Sequence, residues 1–294
     1  MALVPAHVLF LLPTRSNTQE LQQKAERRLA RSPLFNKFKG IKMKKEITLF
    51  DGEHIDEVND DISLIQRDSG LKLGTDALLL ASYISKQPKA SAIELGGGSG
   101  IISFLCAARK KLNHIICVEL QESFASVIER NIILNDMGEK VECLHADIRS
   151  LKEHIHKECD VVFTNPPYMI STGGAMNISD EKAIARHELF GGISDFVCAA
   201  SQALKYGGKF YCVYRPDRLS DLFSAMRQNA LEPKKMTFVH ANFNSIPSMV
   251  LLEAKKGGKC GCKISKPFFI YKDTQNKDFS EEMQKIYETG SFEE

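Results

Sequence analysis

Tryptophan is absent from the 294 residues, and other scarcities narrow the field further. No segment approaches the roughly 18 uninterrupted apolar residues of a membrane-spanning helix. The nearest candidate, Met1–Pro13, is broken by Pro5 and His7 and has no basic lead-in, which argues against a secretory signal. Eight cysteines are scattered, mostly inside apolar runs such as HIICVEL, where a free thiol acts as a small hydrophobe. They form no disulfide framework, and a reducing cytoplasm is the expected location. Cys260-x-Cys262 has no second pair and His154-x-His156 no further ligand, so no metal is expected. With 43% hydrophobic and 26% charged residues, disorder and fibrous repeats are excluded.

Net charge is nearly missing too, since 39 Lys+Arg face 37 Asp+Glu. That balance conceals two basic segments. Residues 15–45 hold ten Lys/Arg against two Glu, and residues 202–272 hold thirteen against four acids. Such clustering is the footprint of a phosphate-binding surface, so the small sum does not exclude a nucleic-acid partner. Residues 1–42 read as an extension: a transit peptide, an RNA-binding arm, or a flexible or adventitious segment. A single folded domain is expected over residues 43–294.

Downstream, strand-like and helix-like segments alternate. A helix is expected from a capping pair, Thr75–Asp76, through ALLLASYI. Then follow strand Ser91–Leu95, helix Ile101–Leu112 with basic residues in its last turn, strand His114–Leu120 and helix Glu122–Leu134. Strands Val141–Ala146 and Val161–Thr164 come next. A helix over Phe196–Leu204, stopped by Gly207–Gly208, leads to strand Lys209–Tyr214. Met236–His240 and Met249–Ala254 read as the last strands. Alternation of this kind implies an α/β fold with parallel strands and helical crossovers.

Glu94-Leu95-Gly96-Gly97-Gly98-Ser99-Gly100 falls between a strand and a helix. Glycines suit a tight turn whose backbone a ligand must approach closely. Their spacing is G-x-G-x-G, and Ile101 stands where the dinucleotide fingerprint requires glycine, which counts against NAD. Glu119 ends the next strand, where a carboxylate can accept from two ribose hydroxyls. Asp147 follows the third strand and suits an adenine amino group; a helix cap is the alternative role.

Asn165-Pro166-Pro167-Tyr168 follows the fourth strand. The prolines remove backbone donors and fix φ, so the turn offers acceptors: the Asn165 side-chain oxygen and the Pro166 carbonyl. Two acceptors converging on one point suit a planar amino group, and Tyr168 offers a flat face for stacking.

With these motifs in place, the chain resembles the class I S-adenosylmethionine-dependent methyltransferases. The resemblance implies a Rossmann-like, mostly parallel seven-stranded sheet with helices on both faces, and S-adenosylmethionine as cofactor. It assigns cofactor contacts to Glu94, Gly96, Gly98, Gly100, Glu119 and Asp147, and places Thr75 and Asp76 near the methionine end. Asn165, Pro166, Pro167 and Tyr168 correspond to the catalytic tetrapeptide of enzymes that methylate amino groups. The stretches LKLGTDALLLASY, AIELGGGSGI, VVFTNPPYM and GGKFYCVYRPDRL are similar to the bacterial tRNA1(Val) adenine-N6 methyltransferases, from about residue 44 to 287. Residues 1–42 have no counterpart there. That likeness implies a tRNA partner, with Arg186, Lys234, Lys235, Lys255, Lys256 and Lys259 as candidate RNA contacts. Methylation of a protein glutamine, or RNA binding without catalysis, are the competing readings.

Overall fold

In the computed structural model, residues 47–59, 62–67, 74–167, 191–274 and 278–292 are described, all of them in one unit, Ile47–Glu294. The extension over 1–42, Tyr168 and Arg186 lie outside the described residues.

A hairpin comes first, β1 (Glu53–Asn59) running antiparallel to β2 (Ile62–Arg67). α1 (Thr75–Tyr83), β3 (Ser91–Leu95), α2 (Ile101–Ala108), β4 (His114–Glu119), α3 (Glu122–Leu134), β5 (Val141–His145) and α4 (Leu151–His154) follow. After β6 (Cys159–Thr164) the described chain resumes before α5 (Ile193–Ala203), β7 (Leu204–Tyr214) and α6 (Leu219–Gln228). β8 (Leu231–His240), β9 (Pro247–Lys256), β10 (Lys263–Ile264), β11 (Phe268–Phe269) and α7 (Glu281–Thr289) complete it.

The main sheet runs β5-β4-β3-β6-β7-β9-β8, with β10 and β11 pairing along β8. Within this sheet β9 is antiparallel to both of its neighbours, β7 and β8, and the other described pairings are parallel. The seven long strands match the expected number, and two short ones, of two residues each, extend the β8 edge. Alternate residues of the central strands feed opposite layers: Val161 and Phe163 join α1 and α2 on one face, while Val162 meets α5 and α6 on the other. Helices on both faces are why these strands read as continuous apolar runs.

α3 grips the hairpin with two asparagines one turn apart. Asn131 accepts from Ile65 N (2.7 Å) and donates to Ile65 O (3.3 Å). Asn135 does the same for Ser63, at 3.1 and 2.8 Å. Residues i and i+4 share a helix face, and i and i+2 share a strand edge, so the two amides act as a surrogate neighbouring strand. Arg130 adds a two-pronged ion pair to the nearly buried Glu53, at 2.5 and 2.8 Å.

Three local expectations are corrected. Thr75 and Asp76 do not cap α1; Gly74 is its N-cap, and no side chain bonds there. Asp76 turns instead toward β6. The expected stop at Gly207–Gly208 is also wrong, because α5 ends at Ala203 and both glycines lie inside β7. Gly207 has φ of +81°, and a Cβ on Gly208 would press on the carbonyls of Lys205 and Asp160, so these glycines serve an irregular strand. Finally, α2 ends at Ala108, and the basic residues expected in its last turn lie beyond it.

Lys111, the last of those basic residues, is only 2% exposed. Its ammonium donates to the carbonyls of Ala81, Ser82 and Ile84 at 2.7, 2.8 and 2.7 Å. These are terminal carbonyls of α1, which lack partners within their own helix. The cation therefore complements a helix dipole, though not that of its own helix. Burial draws the Lys111 pKa down to about 8, which still leaves it protonated at pH 7. Lys111→Met should lower unfolding free energy by about 2 kcal/mol, since buried acceptors lose their donor. Denaturant midpoints measure this, and a change below about 0.5 kcal/mol would mean those carbonyls find other partners.

Candidate functional site

Parallel strands leave their carboxyl ends along one edge of the sheet, where open α/β folds bind ligands. β3, β4 and β6 are neighbours, with Leu95 beside both Val118 and Thr164 in register. The buried Thr164 hydroxyl donates to Leu95 O at 2.8 Å, locking the ends of β3 and β6 together. The chain leaves these strands as the glycine turn and as Asn165–Pro166, so the two motifs emerge side by side.

The turn is closed by backbone bonds. Gly96 N and Gly97 N both reach Val118 O, at 2.9 and 3.0 Å, and Gly100 N reaches Gly97 O at 2.8 Å. Gly96, Gly98 and Gly100 have φ of +71°, +57° and +81°, a region that side chains strongly disfavour. A Cβ on Gly98 would meet nothing within 4 Å, so that position faces open space, whereas Phe196 closes in on Gly96 and Phe104 on Gly100. Asn131, besides holding the hairpin, donates to Ser99 O at 3.2 Å. Nothing in the sequence singled out Asn131, because its role depends on three segments meeting.

Glu94 sits beneath this turn at 1% exposure. Its carboxylate accepts from the hydroxyl and the amide of Ser103 in the first turn of α2, and from the Cys117 thiol. It supports the turn and the helix start from inside. Burial raises its pKa to about 7, with the Ser103 bonds opposing that rise.

Glu119 is 6% exposed at the end of β4. Each of its oxygens accepts one backbone N–H at 2.8 Å, one from Gly98 and the other from Gln121. Burial raises its pKa, and those amides counter the rise. A carboxylate has about four acceptor sites, so two hydroxyl donors can still be received. Of the two roles foreseen for Asp147, the described structure displays the helix cap. It caps the short 3-10 helix Ile148–Ser150 by accepting from Arg149 N, and it is paired with the Arg149 guanidinium at 2.5 Å. That guanidinium, hydrogen-bonded to the carboxylate, holds the Asp147 pKa below its usual value.

Asn165 is half-buried; Pro166 is buried and Pro167 exposed. Asn165 Nδ2 donates to Asp76 Oδ2 at 2.8 Å. α1 thereby takes the donor end of the amide, and the oxygen on the same carbon is an acceptor by its chemistry. The structure thus brings Asp76 and Asn165 together, 89 residues apart in the chain.

The lysines lie elsewhere. In register, Lys255 pairs with Lys209, which pairs with Val161, four residues before Asn165. Lys255, Lys256 and Lys259 thus belong to the opposite edge of the sheet, about 13 Å back along the strands. Lys256 donates to Leu204 O at 2.6 Å, and Lys234 donates to the carbonyls of Lys259 and Gly261 at 2.8 and 2.7 Å. Lys235 lies over the Tyr83 ring. Among the described residues, no group of three or more His, Cys, Asp or Glu is placed to hold a metal.

The chain is similar to several known proteins. A tRNA1(Val) (adenine(37)-N6)-methyltransferase of a Flavobacteriaceae bacterium is 24% identical over 183 residues, covering 62% of this chain and 76% of that protein. A protein of the same name from a Shewanella species is 25% identical over 205 residues, 69% of this chain and 82% of that one. The crystal structure of a predicted O-methyltransferase from Agrobacterium tumefaciens superposes with a TM-score of 0.61 at 20% identity, covering 74% of this chain and 98% of that one. At that identity the likeness shows the fold, which is the Rossmann-like α/β fold of the class I methyltransferases. The sequence profile of the methyltransferase small domain matches residues 69–234. Since that segment is over half of the chain and holds every strand from β3 to β7, the chain belongs to the methyltransferase small domain family.

Proposed function

We propose that this enzyme transfers a methyl group from S-adenosylmethionine to the exocyclic N6 amine of an adenine in tRNA. The observation that carries the reading is the Asp76–Asn165 contact, which orients an acceptor-rich turn beside a glycine turn with an open face. The names of the relatives, which specify adenine N6 in a valine tRNA, support the choice of base and of macromolecule.

The site fits the cofactor. Gly98 offers backbone without a side chain, Glu119 retains acceptor capacity for ribose hydroxyls, and Asp147 offers a carboxylate that exchanges Arg149 for an amino group. When bound, the cofactor supplies an electrophilic methyl on a positively charged sulfur. The chain's own task is to prepare the amine. An exocyclic adenine nitrogen is a weak nucleophile because its lone pair is delocalised into the ring. Asn165 Oδ1 and the Pro166 carbonyl accept its two N–H bonds, which favours the pyramidal nitrogen with its lone pair localised for attack. This is stabilisation by pre-positioned dipoles, combined with alignment. Contact of Lys255, Lys256 or Lys259 with RNA would fall on a part of the tRNA remote from the target base.

Incubation with labelled cofactor should put label into bulk tRNA, recovered as N6-methyladenosine; label in a protein release factor alone would favour glutamine methylation. Asn165→Ala should cut transfer by about 10²- to 10³-fold, the effect of removing one positioned polar group. Calorimetric titration should find its cofactor affinity nearly unchanged; an equal fall in both would remove Asn165 from the amine. Glu119→Ala should instead weaken the cofactor by at least about tenfold, as expected for lost charge-assisted bonds. Glu94 sets a pH signature. Its folded pKa of about 7 lies above its ordinary 4.5, so the folded state keeps the proton longer. Stability from the protonated form is complete below pH 4.5 and lost as pH rises toward 7. Glu94→Gln should flatten that decline, read from denaturant midpoints at pH 5 and pH 8; parallel pH profiles for the two proteins would refute it.

A further inference from the structure

We propose that the loop from Ala241 to Pro247, displaying Phe243 and Ile246, is the platform on which unpaired RNA bases next to the target adenine stack. The inference rests on the tRNA reading above and adds the surface that would receive the flanking nucleotides.

The loop follows the carboxyl end of β8, on the same edge of the sheet as Asn165–Pro166. Phe238 on β8 pairs with Val250, which pairs with Tyr214 on β7, two residues past the partner of Thr164. Phe238 thus lies level with Pro166, and the chain beyond it rises past the catalytic turn. β8 is three strands from β6 in the sheet, about 14 Å at ordinary strand spacing. A polynucleotide that brings one base to Asn165 has its neighbours within that span.

The surface has the chemistry of a base-binding patch. Phe243 is 64% exposed and Ile246 is 86% exposed. The intervening residues are Asn244 and Ser245, with Asn242 before them, so the tip carries amides and a hydroxyl and no charge. Amides and apolar faces recognise bases, while phosphates call for cations. Cations stand at the neighbouring end of β7, where Arg215 and Arg218 make ion pairs with Asp217 and Asp221 that are open to solvent. Pairs of that kind contribute little to stability and exchange readily for phosphate.

The loop is also held in place. Ser245 N reaches Asn242 O at 3.1 Å, Asn242 N reaches the Ser245 hydroxyl at 2.9 Å, and Asn244 N reaches Asn242 Oδ1 at 3.0 Å. His240 Nδ1 lies 2.7 Å from Ser245 O. A carbonyl only accepts, so Nδ1 carries the proton. The His240 ring is in turn braced by Phe269, with centroids 5.5 Å apart. A braced loop spends its bonds on fixing two exposed apolar side chains, which lowers the ordering cost of binding.

The test uses the full chain and an RNA stem–loop with 2-aminopurine next to the target adenine. Wild-type protein should quench the probe, Phe243→Ala should lose the quenching, and Phe243→Trp should retain it. Phe243→Ala with Ile246→Ala should weaken RNA binding about tenfold or more, the range for lost base stacking. Cofactor affinity and thermal midpoint should not move, since both side chains point into solvent. If the wild type methylates the RNA and the double variant binds and quenches equally well, the platform is refuted alone. If the wild type labels a protein and no RNA, the tRNA reading fails and the platform with it.

Discussion

The register of β3 against β6, pinned by the buried bond from the Thr164 hydroxyl to Leu95 O, is the constraint on which the site depends. Two parallel strands whose ends coincide release their next residues into the same space. One release is the glycine turn and the other is Asn165–Pro166, so the two motifs stand side by side without any loop reaching across. β4, on the other side of β3, delivers Glu119 under Gly98 by the same logic. A slip of one residue would also turn each strand's side chains to the opposite face, and both cores forbid that.

Several buried polar groups reinforce this arrangement. Lys111 finishes α1, Asn131 joins the hairpin to the glycine turn, and Glu94 braces the start of α2. Such groups are costly to bury and tolerable only when satisfied. No buried side-chain polar atom among the described residues lacks a partner. Their bonds are directional, so they specify one alignment of helix, turn and strand, where apolar contacts alone would accept several. The Asp76–Asn165 pair extends the same device to the Asn165–Pro166 turn, tying it to a helix that starts 90 residues earlier.

Much of the fold was legible along the chain. α3 spans Glu122–Leu134 and β3 spans Ser91–Leu95, as periodicity and flanking signals indicated. The placement of the glycine turn, Glu119 and Asp147 at the ends of β3, β4 and β5 was readable because local patterns mark where strands stop. The misreadings share one cause. Thr75–Asp76 looks like a cap, Gly207–Gly208 like a stop and Lys111 like an ornament of its own helix, because local rules assume local partners. Each residue has its partner far away in sequence: Asn165, the carbonyl of Asp160, and the end of α1. The lysines around β8 and β9 were similarly visible as charge but not as position, since only strand direction tells which edge of the sheet they share.

The sequence by itself determined the family, the cofactor and the chemistry of the acceptor turn, because glycines with forced backbone angles and paired prolines constrain geometry within a few residues. Only the tertiary structure decided what surrounds that turn: Asp76 behind Asn165, Asn131 behind the glycines, a neutral aromatic loop level with the site and the lysines at the far edge. Those relations are set by strand order and register, which arise from contacts between distant segments and leave no mark in any short stretch of the chain.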